Sequence, residues 1–169
     1  MRQGGLLFGA LAVVLTACGA GGGSGNGGSA GCGPVTRERL DPSSPVHLLP
    51  GGPEPAYLSD PPTSGPHLSG RPPSGISTEP LDRPTQVLVL EEGGVLIQHR
   101  GLDGADEARL AELAGEQVVV APNPELPNPV VATAWLAKRT CDEVDVPALR
   151  QFVEERLGRG PEGGEAAAS

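Results

Sequence analysis

The chain has 169 residues, with 12 Lys and Arg against 21 Asp and Glu, for a net charge of -9. An acidic surface repels nucleic-acid phosphates and anionic headgroups, which excludes nucleic acid as a partner and a polybasic patch as a membrane anchor. The 26 Gly and 19 Pro crowd the first half, so the composition predicts one small domain behind a long irregular arm.

Residues 1–17 read as an export signal. Arg2 supplies the positive start, and Leu6–Leu15 is an apolar core of ten residues, too short to span a bilayer as a helix. Leu15-Thr16-Ala17-Cys18 resembles the bacterial lipobox. That resemblance implies cleavage before Cys18 and diacylglycerol on its sulfur. The expected location is then a cell membrane, with the chain lipid-anchored on the extracytoplasmic side; two or three acyl chains hold a protein stably. Residues 18–33 continue as a tether, and 19–33 contain nine Gly and almost nothing to bury.

Export also bears on the other cysteines. Cys32 and Cys141 remain after lipidation of Cys18, and an oxidising compartment favours a disulfide between them. The alternatives are two free thiols or a soft-metal pair.

Residues 34–84 are Pro-rich and lack periodicity, which predicts an extended, turning arm laid over the domain. Within it, Asp60-Pro61-Pro62-Thr63-Ser64-Gly65-Pro66-His67 reads as one fixed turn, with Thr63 or Ser64 bonding nearby backbone.

The domain itself is expected over 85–157. Gln86–Glu91 and Val95–His99 read as two strands of a hairpin joined through Gly93-Gly94. Asp103 caps a helix near 105–114 with Leu110, Leu113 and Ala114 as its buried stripe, and Gly115 stops it. Gln117–Ala121 is a third strand. Val130–Trp135 is a fourth, with an extension to Thr140 left open. Asp145 caps a last helix with Pro147 in its first turn and Leu149, Phe152, Val153 and Leu157 inward. The order β-β-α-β-β-α predicts an α+β fold: a small four-stranded, largely antiparallel sheet with helices on one face. Trp135 and Phe152 are the expected centre of its core. Residues 158–169 read as a loose tail.

Several separated pieces resemble one family. They are Tyr57, the run 61–67, Leu90-Glu91, Gly93-Gly94-Val95, Thr133-Ala134-Trp135, Cys141, Phe152 and Pro161-Glu162. Together they are similar to domain-of-unknown-function family 3105, over roughly residues 46–162. The resemblance implies one exported domain and no particular activity. The family pattern reads His-x-Leu-Glu-His-Gly where this chain has Leu88 and Glu92 in the two histidine positions. The matching positions that survive, and so the candidate binding residues, are His47, His67, Glu91 and Trp135.

No catalytic set emerges. Ser64 and His67 are close in sequence, but no Gly-x-Ser-x-Gly elbow accompanies them. Phosphate-cradling and Cys-x-x-Cys motifs are absent. Metal-ligand spacing is absent too, so a metal site needs His67 folded back onto Glu91; the favoured alternative is that His67 donates a hydrogen bond that fixes its turn, with Glu91 as a candidate acceptor. In strand geometry, positions 88 and 92 lie about 13 Å apart, too far to share an ion. The leading expectation is a non-catalytic, membrane-tethered binding or interaction module for a protein or small ligand. No cofactor is expected beyond the covalent lipid. The competing expectation is an exported metal-binding or metal-dependent domain using His67 and Glu91.

Overall fold

The computed structural model describes Met1 and residues 31–163. The signal segment, Cys18, most of the tether and the last residues of the tail lie outside the described residues. Among those described, no helix is long and apolar enough to cross a membrane.

The Pro-rich arm contributes four two-residue strands: β1 (Thr36–Arg37), β2 (His47–Leu48), β3 (His67–Leu68) and β4 (Gly75–Ile76). Asp82 then starts helix α1 (Arg83–Glu91). Its carboxylate accepts from the Thr85 amide at 2.8 Å, and Pro84 sits in the first turn, where an N–H has no helical partner anyway. Residues 86–91 are thus helical and correct the strand expected there. The Gly93-Gly94 pair is the helix stop, not a hairpin turn. Gly93 has φ +79°, its amide donates to Leu90 O at 3.1 Å, and the Gly94 amide donates to Val89 O at 2.8 Å. The physical reason is burial on every side: Pro84 and residues 86–91 are all buried, because α1 lies between the sheet and the arm. A helix enclosed in this way reads as an unbroken apolar run, and packing overrides the strand preference of Val87 and Val89.

The rest of the domain is β5 (Val95–His99), α2 (Gly104–Ala111), β6 (Val118–Pro122), β7 (Val130–Ala134), β8 (Ala137–Cys141) and α3 (Val146–Arg156). Asp103 and Asp145 cap α2 and α3 as their sequences predict. The chain does not run straight from 130 to 140. It turns at Trp135-Leu136, where Leu136 has φ +54°, and β8 returns beside β7.

The main sheet has six strands, not four, in the order β1-β8-β7-β5-β6-β4. The two additional edges are the arm's own β1, antiparallel to β8, and β4, parallel to β6. The sheet remains largely antiparallel, with β5–β6 as its other parallel pair. Its helices occupy both faces, which corrects the one-sided expectation. Val95, Ile97, Val118 and Val120 point toward Leu110 of α2 and Leu149 and Phe152 of α3. Their neighbours Leu96, Val119 and Ala121 point the other way, toward Val89 and Leu90 of α1. Strand alternation sends successive apolar residues to opposite faces, so each face needs its own cover.

Phe152 is fully buried in the first cluster, whereas Trp135 is half-buried against the second. Leu157, expected to face inward, is exposed. Cys32 and Cys141 form the expected disulfide, closing a sequence separation of 109 residues. Residues 158–163, read as loose, fold back onto the end of α1. The Gly158 amide donates to Gly93 O at 2.8 Å and the Glu162 amide to Glu91 O at 3.1 Å, supplying donors where helix-end carbonyls otherwise lack them.

Candidate functional site

The run 61–67 is buried along its whole length, which is unusual for a Pro-rich segment. Its polar atoms are accordingly bonded. The Thr63 hydroxyl donates to Glu38 Oε2 at 3.2 Å, Ser64 Oγ accepts from the Asp41 amide at 2.9 Å, and Thr63 O accepts from the Leu136 amide at 3.1 Å. The Tyr57 hydroxyl donates to Pro66 O at 2.8 Å, and burial raises its pKa well above the usual phenol range. Gly65 has φ +134°, and a side chain there would meet the Tyr57 ring at 2.8 Å. These contacts fix where the next residue but one, His67, must sit.

His67 is completely buried, and three elements meet around it. On β3 it pairs in parallel register with His47 of β2, and its amide donates to Val46 O at 3.2 Å. The two imidazoles stand edge to face with centroids 4.7 Å apart. Glu91, at the last position of α1, brings its carboxylate to His67. The ligand-type atoms of His47, His67 and Glu91 all lie within 4.8 Å of one another. The two expected partners, His67 and Glu91, are therefore together, and His47 joins them.

The ring of His67 is oriented from one side. Its Nδ1 lies 3.0 Å from Gly65 O, a carbonyl that can only accept, so Nδ1 carries a proton and makes the turn-fixing hydrogen bond expected of His67 as a structural residue. In the neutral ring Nε2 then holds a lone pair. This Nε2 is paired with Glu91 Oε2 and has no other polar partner among the described residues. Two electron-rich atoms facing each other need a positive charge between them: a proton or a metal ion. A histidine held by Nδ1–H to a carbonyl, with Nε2 free to coordinate, is the usual arrangement at metal centres. Burial pushes the Glu91 carboxyl above its ordinary pKa; His67 and His47 oppose this, and Glu162 and Glu92 add to it.

Other candidates separate from this cluster. Trp135 packs at the β7–β8 turn against the α1-side core and is not one of the three converging groups. His99 faces Glu107 at 3.9 Å on another side of the sheet's end, and burial lowers its pKa. Both ring nitrogens of His67 face groups other than Ser64, whose Oγ serves Asp41, so no nucleophile–base pair forms.

A family model described as a protein of unknown function, DUF3105, matches residues 52–169. The chain belongs to the DUF3105 family. No curated protein and no solved structure matches the chain. The DUF3105 match includes His67 and Glu91, while His47 lies just before it. Leu88 and Glu92, the positions at which the sequence resemblance implies histidine, fall on the last turn and C-cap of α1, beside Glu91. Helical spacing puts 88 about 6 Å from both 91 and 92, which corrects the separation derived from a strand. His47 had no signal of its own in the spacing of residues. Its place beside His67 depends on a two-residue parallel bridge that the sequence pattern does not announce.

Proposed function

We propose that this chain is an exported, lipid-anchored protein of the bacterial envelope whose folded body binds a transition-metal ion through His47, His67 and Glu91. The observation that supports the metal reading is the convergence on the buried His67, whose ring is oriented by Gly65 O, of the Glu91 carboxylate at its Nε2 and the second imidazole of His47. Two imidazoles and one carboxylate suit zinc, copper, iron or nickel. The anchor rests on the sequence 15–18, and the Cys32–Cys141 disulfide accords with an oxidising compartment. The separate partners of Ser64 and His67 favour binding over hydrolysis by that serine.

Titration of chelator-treated full chain with Zn(II) and Cu(II), followed by elemental analysis, tests this. One equivalent should be retained by the parent protein. His47 is exposed, so His47→Ala should fold normally and lose about 10- to 100-fold in affinity. His67→Ala should abolish uptake. A parent chain that takes up no metal, or a His47→Ala variant with unchanged affinity, removes the assignment. Separately, Cys18→Ser should release the protein from membrane fractions; continued sedimentation with membranes removes the anchor.

A further inference from the structure

The chemistry of the same site goes one step further, and this step rests on the metal-binding reading above. The chain supplies three ligands from three elements, and among the described residues no fourth His, Cys, Asp or Glu joins the group. The three are unequally covered. His67 and Glu91 lie in the interior, closed from beneath by the arm and α1, whereas His47 is exposed. An ion bound by all three is therefore enclosed on the protein side and reached from solvent on the His47 side. Three protein ligands leave a four-coordinate ion with one further position, which in metalloproteins is where an exogenous ligand binds.

Two further carboxylates lie close to Glu91. Glu92 follows Glu91 directly, and Glu162 is held beside it by the bond from its amide to Glu91 O. Both carboxylates lie close enough to oppose the charge on Glu91. Arg71 lines the same depression as Glu92 but makes no ion pair with it among the described residues. Glu91, Glu92 and Glu162 together outnumber Arg71, so the surroundings of the ion are acidic. Such a field works against an incoming anion and leaves a neutral donor unaffected.

We propose that an ion held by His47, His67 and Glu91 keeps a solvent-facing coordination position, and that this position takes a neutral nitrogen donor of the imidazole class in preference to an anion. The donor is either a free small molecule or the histidine side chain of a partner, and the coordination chemistry is the same for both. The metal–nitrogen bond replaces a bound water, with no change in oxidation state.

The test uses the full chain loaded with Co(II) or Cu(II), whose optical or EPR spectra report the ligands directly. Imidazole, an end-blocked peptide with a single histidine, and azide are titrated in parallel, with gel filtration to confirm that the metal stays bound. The spectrum should shift saturably with imidazole at a concentration at least tenfold below that needed for azide. A matching response to the peptide assigns the donor to a partner's side chain; a response to imidazole alone assigns it to a small molecule. In the double variant Glu92→Gln, Glu162→Gln, azide should gain roughly three- to tenfold while imidazole changes little. Azide binding as tightly as imidazole, or a spectrum that moves with neither, overturns this proposal and leaves the metal reading intact. No uptake of any of the metals overturns both.

Discussion

Removal of the Cys32–Cys141 disulfide should cost this domain a large share of its stability without disturbing the His67 cluster. The bridge spans 109 residues. In the chain-entropy model a loop of that size removes about 16 cal/mol/K from the unfolded chain, or about 4.8 kcal/mol at 25 °C. Domains of this size have about 5–15 kcal/mol in total, so the effect takes a third or more. The native partners around the bridge remain after it is cut. Gly33 N still donates to Thr140 O, Asp142 N to Gly31 O, and Arg139 Nε to Gly33 O, and β1 still pairs with β8. The folded state should therefore persist, with the loss located in the unfolded state. Urea unfolding followed by the single tryptophan, Trp135, compares oxidised, reduced and Cys32→Ala/Cys141→Ala protein. The expected decrease is about 3–6 kcal/mol. Both cysteines belong to the core cluster on the α2/α3 face, whereas Glu91 rises from the helix on the other face. Metal affinity of the folded variant should therefore stay within about twofold. A stability change below about 1 kcal/mol would refute the entropy argument, and a collapse of metal affinity in a folded variant would refute the separation of the two regions.

Gly65→Ala forces a side chain into the Tyr57 ring at a φ that disfavours it. It should destabilise the fold by about 1–3 kcal/mol and weaken metal binding through His67, whereas Gly70→Ala, with φ +121° but open space, should leave metal affinity unchanged. Glu38 is pushed up by burial but held below its ordinary pKa by bonds from Ser59, Lys138 and Thr63. Its stabilisation is thus present at neutral pH and lost as pH falls below the normal carboxylate range. Glu38→Gln should be less stable by about 1–3 kcal/mol at pH 7 and should show a flatter acid limb in pH-dependent unfolding. Leu88→His with Glu92→His places two more imidazoles on the turn of α1 that carries Glu91. Metal affinity by competitive chelation should rise at least tenfold, and no change would mean that this helix face does not address the ion.

The sequence was most legible where local chemistry and tertiary burial agree. Asp103 and Asp145 announce their helices because each carboxylate meets amides within its own turn. Gln117–Ala121 and Val130–Trp135 read correctly as strands because β-branched residues there are also enclosed by sheet neighbours. The segment 86–91 misled because those two signals part company. Its composition is that of an interior strand, yet Asp82 and Pro84 before it and Gly93 after it carry the marks of a helix start and stop. The strands β1 to β4 had no periodicity to read: two residues form no pattern, and only the partner strand makes them visible. Leu157 fell on the apolar stripe of α3 by spacing, but the helix ends one residue earlier and the chain turns back toward α1.

The same reassignment decides what the site can be. As a strand, residues 88–92 would send Glu91 and Glu92 to opposite faces, and a metal site would depend on the arm alone. As a helix, the segment delivers Glu91 from its last turn, with 88 and 92 beside it, directly against the one fully buried imidazole of the arm. In the proposed metal site, the buried run 61–67 would do more than pack. Its bonds to Asp41, Glu38, Tyr57 and Leu136 hold Gly65 O where it orients the ring of His67, and hold His67 where Glu91 arrives. Rigidity of this kind is what a coordination site requires, since ligands fixed before the ion arrives lose little freedom on binding it. His47 is the exception, exposed and held by a two-residue bridge, so in the proposed metal site it would be the ligand through which an ion enters and leaves.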